Sequence, residues 1–358
     1  TLDNIVLKIF KRDGFKRGIN KIIKAIKYEK NNPLKLPILK RIKCWNKGFK
    51  SSSYYIYDLK NAETKDYVSD VIVAQLSNVN DEEIKLFLND KLKFESIASK
   101  YVNVPKNFFV IRNGIIQSID EGSPYCIDTL IEYCTGIELV LKPIDGNRGK
   151  GVMFLLNKDN KLLLNNQIID QNKLKTIIEK LDNYIILERI KQANYSEKIF
   201  SETSNTIRLL VMRNPYENNK PFIAAAVHRF GRKETIPVDN WSRGGLSANI
   251  DISDGKLGCG VMHPRHTNGE LKFYKTHPDS GSQIEGVTIP YWEDIKDIAI
   301  DLIIRLNIRY VGWDILVTNN GFYFIEGNCN SDLDLIQVHN PLLKDERVVK
   351  FLKYSGNL

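Results

Sequence analysis

The chain has few cysteines, and they form no pattern. Five are scattered through 358 residues, at Cys44, Cys126, Cys134, Cys259 and Cys329. The number is odd and no Cys-x-x-Cys occurs, which argues against a disulfide framework or a cysteine zinc site and for a reducing, cytoplasmic setting. No apolar run approaches the ~20 residues needed to cross a bilayer. The opening residues, Thr1 to Phe10, lack the charged start and long apolar core of a signal peptide. There is no initiating Met, as expected of a segment of a longer precursor. Internal repeats and low-complexity tracts are absent. So is any convincing Ser/His/Asp or Cys/His set, so covalent catalysis by an enzyme nucleophile is not indicated. His263, His266 and His277 lack a helical zinc spacing and read as loop histidines.

What remains is ordinary in bulk. Hydrophobic residues make up 42% and charged residues 27%, the balance of a soluble globular protein. The length allows two or three lobes. The net charge of +9 is uneven: residues 1–50 hold fifteen Lys and Arg against Asp3, Asp13 and Glu29, so the basic character sits at one end. There Ile19, Ile22, Ile23 and Ile26 recur at helical spacing with lysines between them. A second basic segment, Leu39 to Trp45, follows Pro33 and Pro37. Three readings stand: a solvated helix packed on the body, a surface helix on anionic lipid, or a nucleic-acid arm. Sparse aromatics count against the last.

Residues 64–101 read as two or three helices. Strands are expected at Phe108–Ile111, Ile137–Lys142, Val152–Leu156, Tyr184–Glu188, Thr206–Met212 and Phe222–Val227, with a helix over Lys173–Leu181. A loop-rich stretch then runs to about residue 290, before a helix from Trp292 to Arg305. Mixed strands and helices with short connectors indicate an α+β or α/β enzyme.

Two motifs carry chemistry. The first is Gly312-Trp313-Asp314 on one apolar strand and Glu326-Gly327-Asn328 on the next. Alternation puts Glu326 and Asn328 on one face. Asp314 joins them if the connecting loop holds an odd number of residues. A three-residue loop, Asn319-Asn320-Gly321, satisfies that condition. Three hard oxygen donors together suit Mg²⁺ and the phosphates it carries. The second motif is Leu139-Val140-Leu141-Lys142-Pro143, leading into a loop with Gly146, Gly149 and Gly151. Glycines let backbone N–H groups approach phosphate, and the Lys142 ammonium adds a point charge. It is neither a Walker A loop nor a Rossmann fingerprint, because a strand follows where those place a helix.

Arg208 sits mid-strand among apolar neighbours and must find an anion. Its partner is either a transferred phosphoryl group or a buried carboxylate. Substrate selection is expected between residues 228 and 288, at Arg229, Asn240, Arg243 and Gly245, with the two arginines gripping a carboxylate. Trp292 and Trp313 read as core.

Lysine loop, hinge, then Asp … Glu-x-Asn is the order found in the ATP-grasp superfamily. From about Lys91 onward the chain resembles it, and most of all its sugar-transfer associated group. Asn89-Asp90-Lys91, Lys142-Pro143, Asn205-Thr206-Ile207-Arg208, Val238-Asp239-Asn240 with Gly244-Gly245, Gly312-Trp313-Asp314 and Glu326-Gly327-Asn328 carry the resemblance. It implies an α+β ATP-grasp fold, two lobes clasping ATP, with a basic helical N-terminal region. The boundaries expected are 1–85 for that region, 86–187 for the lobe with the Gly-rich lid, and 188–358 for the lobe with the Mg²⁺ site. Lys142 and, as a second phosphate-side lysine, Lys91 would hold phosphates; Gly146, Gly149 and Gly151 would form the lid. Glu188, Arg189 and Ile190 match the hinge that reads adenine, with Lys191 or Gln192 near the ribose. Asp314, Glu326 and Asn328 match the Mg²⁺ ligands. The implied reaction is ATP-dependent joining of a carboxylate to an amine through an acyl phosphate, with Arg208 and Lys142 as catalytic groups. The group suggests surface-polysaccharide work on a sugar acid, at the inner face of the membrane. A kinase acting on a hydroxyl is the alternative.

Overall fold

A computed structural model describes residues 29–30, 34–120, 122–145, 151–214 and 216–358. Gly146 and Gly149 lie outside the described residues, as does the segment containing Ile19 to Ile26. Two antiparallel sheets dominate. The first holds β1 Asn107–Arg112, β2 Ile115–Ser118, β3 Pro124–Tyr125, β4 Leu139–Pro143, β5 Met153–Lys158, β6 Lys161–Leu164, β7 Gln167–Ile169 and β8 Tyr184–Glu188. The second holds β9 Ile207–Asn214, β10 Lys220–Phe230, β11 Leu246–Ile250, β12 Leu257–Met262, β13 Phe273–Tyr274, β14 Tyr310–Thr318 and β15 Gly321–Asn328. Their orders are β3-β2-β1-β8-β4-β5-β6-β7 and β13-β12-β11-β10-β9-β14-β15.

The expected strands and the helix Trp292–Arg305 are present, with strand ends shifted by up to three residues. Three strands, β11, β12 and the two-residue β13, fall inside the stretch read as loop. Leu257-Gly258-Cys259-Gly260-Val261-Met262 shows why: two glycines erase the alternation that marks a strand.

The second sheet is covered on both faces. On one, helices α2 Glu82–Asn89, α3 Lys91–Ala98 and α5 Trp292–Arg305 pack over Leu209, Val211, Trp313 and Phe324. Trp313 is fully enclosed, edge-on to Phe324, and Trp292 is buried too. On the other face, Leu210, Met212 and Tyr310 meet Ile56, Tyr57, Val68 and Leu76 from the N-terminal segment, and Val348 and Phe351 from α6 Glu346–Tyr354. Each such side chain, fully buried, contributes about 1.5–3 kcal/mol. Polar clamps fix the same contact. Gln337 accepts from Val68 N at 2.8 Å and donates to Val68 O at 3.0 Å. Residues 34–80 are therefore built into the body. A smaller core lies on the first sheet, where α4 Gln171–Ile178 packs Leu174 and Ile178 against Ile111, Leu141 and Leu155.

Helix α1 Ile38–Asn46 differs from the rest. It buries Cys44 but leaves Ile38, Leu39 and Ile42 exposed, between Lys40, Arg41 and Lys43.

Candidate active site

The hairpin β14–β15 sets the site. Its loop is Asn319 and Asn320 alone, because Thr318 pairs with Gly321. The expected three-residue loop is corrected on this point. Strict alternation from that turn would put Asp314 opposite Ile325. A bulge inserts Ile325 as an extra residue, and Asp314 faces Glu326 instead. Glu326 and Asn328 share its face, with Asn328 opposite Gly312. The bulge also points Ile325 and its neighbour Glu326 into the same cleft.

Asp314 is buried in a dense ionic network. Arg208 Nε donates to its Oδ1 at 2.5 Å and Nη2 to its Oδ2 at 3.1 Å. A third guanidinium nitrogen, Arg208 Nη1, donates to Ser331 Oγ at 3.0 Å. From β10, Arg229 Nη2 donates to Asp314 Oδ2 at 3.0 Å, and Nε lies 3.3 Å from Asp239 Oδ2. Arg229 also bonds Thr206 Oγ1, which donates to Asp239 Oδ2 at 2.6 Å. Burial pushes the Asp314 carboxyl up, but Arg208 and Arg229 overcome it and hold the group at about 2. The buried carboxylate partner of Arg208, one of its two expected alternatives, is thus present. Gly312 makes room: a Cβ there would sit 2.9 Å from Arg208 Cδ and 2.4 Å from Ser331 Oγ.

Across the cleft, Lys142 ends β4. Burial pulls its ammonium down to about 8; the Glu326 charge opposes the shift and Lys91 adds to it. Lys142 and Glu326 therefore face one space. Lys91 opens α3 after the Asp90 cap, whose Oδ1 accepts from Leu92 N at 3.0 Å, and Lys91 Nζ donates to Ile144 O at 2.9 Å.

A cleft of about 1070 Å³ runs between the two sheets. Its apolar end is formed by Val140, Phe154, Leu187, Ile190, Leu316 and Ile325, beside Glu188 and Arg189. Glu188 is held by Lys106, whose N–H donates to its Oε1 at 2.8 Å. Arg189 pairs with Glu138 and lies 4.4 Å from the Phe154 ring centre. Its polar middle holds Lys91, Lys142, Arg208, Arg229, Asp314, Glu326 and Asn328. The lining also includes Asn240, Trp241, Ser242, His263 and Arg265, with Lys50, Ser77 and Asn78 from the N-terminal segment. Lys191 and Gln192 are not part of the lining; buried Gln192 donates to Phe200 O at 3.0 Å. Gly151 stands in the left-handed region at φ +80°, just before β5.

Of the residues expected at the acid, Asn240 lines the cleft. Arg243 does not: it is exposed on the turn Trp241–Arg243. Gly245 is buried, and a Cβ there would meet Phe230 O at 2.8 Å. It serves close backbone packing. His263 and His277 are buried, with His277 Nε2 at 2.8 Å from Gly231 O. Sequence reasoning missed the apolar walls Phe154, Leu316 and Ile325, and missed Arg265.

The donor set bears on a cation. Among the described residues, no three His, Cys, Asp or Glu side chains group as metal ligands. Mg²⁺ needs less, since one or two carboxylates suffice when phosphates and water complete the shell. Two facing carboxylates with an amide beside them, Asn328 Nδ2 lying 3.3 Å from Glu326 Oε1, fit that requirement.

Two antiparallel sheets embracing a nucleotide-sized cleft define the ATP-grasp class. The chain belongs to the sugar-transfer associated ATP-grasp family, whose model matches residues 74–349. No curated protein matches it. Among solved structures it is similar to the ATP-grasp ligase PsnB complexed with minimal precursor, at 11% identity and TM-score 0.36, over 76% of this chain and 64% of that one. It is also similar to D-alanine–D-alanine ligase from Bacillus anthracis, at 14% identity and TM-score 0.42, over 82% and 77%. A third is N5-carboxyaminoimidazole ribonucleotide synthetase bound to ADP, at 12% identity and TM-score 0.41, over 72% and 48%. The chain thus spans less than two thirds of the first and third of these.

Proposed function

We propose that the chain is an ATP-dependent ligase that activates a carboxylate and joins it to an amine. The observation that carries this reading is the facing of Lys142 and Glu326 across one cleft, with Asp314 beside Glu326. Family membership supports it. Adenine would lie against Phe154 and Leu316, with the Glu188–Ile190 backbone at its edge. Lys142 and Lys91 would hold the phosphates and Gly151 would anchor the lid. Asp314, Glu326 and Asn328 would hold Mg²⁺, which supplies neutralisation of phosphate charge.

The substrate carboxylate oxygen bonds the γ-phosphorus, the bond to the β,γ-bridging oxygen breaks, and ADP leaves. An amine then bonds the acyl carbon, loses its proton, and inorganic phosphate departs. Nothing in this sequence needs an enzyme nucleophile. Positioning and preset charge supply the catalysis. The carboxylate in this reading is that of a sugar acid in surface-polysaccharide assembly, a setting with which the sugar-transfer association of the family agrees. Exposed Ile38, Leu39 and Ile42 among lysines on α1 suit contact with an anionic membrane face.

The test is ADP release across sugar acids, with and without amino acids or amines, and with Glu326→Gln as control. Release that depends on both an acid and an amine supports the ligase. A phosphorylated product formed without amine would replace it with a phosphotransferase.

A further inference from the structure

The arginines around the cleft differ in how well their donors are satisfied. Arg208 is held by Asp314 and Ser331. Arg229 is held by Thr206, Asp239 and Asp314. Arg265 lines the same cleft, yet its Nε is buried without a hydrogen-bond partner. A buried guanidinium N–H with no acceptor is costly, more so than a neutral one. Nε itself is closed to ligands, but the residue is half-buried and lines the cleft, and no carboxylate among the described residues pairs with its guanidinium, so an incoming oxyanion would be its first partner.

The frame that holds Arg265 is firm. It sits in the short turn Pro264–His266. His263 Nδ1 accepts the Arg265 backbone N–H at 3.1 Å, and the His263 ring lies 4.6 Å from that of Trp241. Trp241 Nε1 donates in turn to Val261 O at 2.8 Å. Burial, helped by the charges of Arg265 and His266, pulls His263 down to about 3, so the ring is neutral at pH 7 and Nδ1 stays an acceptor.

Position narrows the role. From Asp314 the contacts run outward to Arg229 and to Asp239, whose neighbour Asn240 caps the turn bearing Trp241. Trp241 touches His263, and Arg265 follows two residues on. Arg208 and Arg229 bond the cation-site carboxylate directly, whereas Arg265 forms no ion pair with it. The carboxylate that reacts must sit by the γ-phosphate, near Arg208 and Asp314. A group at Arg265 is a different one. Asn240, Ser242, Asn78 and Asn330 line the same cleft, and amides and hydroxyls suit a polyhydroxylated body.

We propose that Arg265 binds a second oxyanion on the acid substrate, a carboxylate or phosphate remote from the carboxylate that reacts, and so selects dianionic sugar acids. The substrate class rests on the ligase reading; the anion site itself does not.

The test uses the chain loaded with Mg-ADP and calorimetric titration of three probes: glucuronate, glucarate and glucuronate 1-phosphate. Glucarate adds a second carboxylate and glucuronate 1-phosphate a phosphate. Wild type should bind at least one of these two about tenfold more tightly than glucuronate, as expected for a charged hydrogen-bonded pair. Which one wins distinguishes the two oxyanions. Arg265→Met should abolish that preference while leaving glucuronate and Mg-ADP affinities unchanged. Arg265→Lys keeps the charge without the planar fork and should retain only part of it. Equal binding of all three probes by wild type would overturn the proposal. A preference that survives Arg265→Met would do so too, as would a parallel loss of Mg-ADP affinity or a large drop in melting temperature. If no acid and amine together release ADP while the Arg265-dependent preference persists, the ligase reading fails and the anion site stands.

Discussion

The two walls of the cleft are built on opposite plans. The β9–β10–β14 wall is saturated: Asp314 takes three bonds from two arginines, and Asp239 and Thr206 complete the network. The β4 wall carries Lys142, whose charge is disfavoured by the burial around it. One wall is set before any ligand arrives. The other would be stabilised by a bound anion. Pre-set charge of the first kind gives electrostatic catalysis without reorganisation. Desolvated charge of the second kind gives affinity.

Removing Asp314 should break the comparison most severely. Asp314→Ala leaves Arg208 and Arg229 buried beside no carboxylate at that point. A loss of about 3–5 kcal/mol in denaturant unfolding is expected. Pairing it with Arg208→Met should recover much of the loss. A cost under about 1 kcal/mol for Asp314→Ala would mean that the wall is not set by this network.

Glu326→Gln separates function from stability on the same hairpin. Glu326 is half-buried and faces Asp314 without sharing its arginines' short bonds. Unfolding should change by less than about 1 kcal/mol. ADP release should fall about 100-fold or more, because a second cation ligand is lost.

Lys142 sharpens the comparison through pH. Its folded-state value, about 8, lies below the ordinary 10.5. Between those values the unfolded chain holds more protons, so this group makes stability rise with pH through that window. Phosphate binding runs the other way, since it selects the ammonium. ADP affinity should fall above pH 8, by up to about tenfold per unit for one proton. Lys142→Met should bind ADP weakly and without that slope. A wild-type affinity that is flat from pH 7 to 9.5 would contradict the desolvated-lysine plan.

The sequence made the carboxylate pair legible, but by a route the structure revises. Parity alone demanded an odd loop, whereas the chain uses a two-residue turn and restores the register with Ile325. A bulge leaves no mark in hydrophobic alternation, because Phe324, Ile325 and the turn glycine look the same with or without it. Arg208 and Lys142 were readable because charge at a strand centre or end needs a partner. Arg243 misled for the opposite reason: an arginine in a loop has no constraint that fixes its direction. Arg265 was equally unmarked, and only the burial of its Nε distinguishes it. Strand β12 escaped because glycines hide a strand whose stability comes from its neighbours.

The smallest effect belongs to the β4 wall, at Gly151, just before β5. Its φ of +80° is left-handed, and a Cβ there would lie 2.5 Å from Tyr184 Oη and 3.3 Å from Pro143 Cγ. Gly151→Ala therefore carries two penalties: a backbone cost of about 1–2 kcal/mol and a steric one against the hydroxyl. Tyr184→Phe removes the hydroxyl, after which the Tyr184 ring carbon Cζ lies at an ordinary 3.5 Å. A double-mutant cycle separates the two terms. The pair should recover the steric part and keep the backbone part, measured by denaturant unfolding. If Gly151→Ala is neutral by itself, neither penalty operates at this corner, and the left-handed turn into β5 is not what positions the end of the glycine-rich loop.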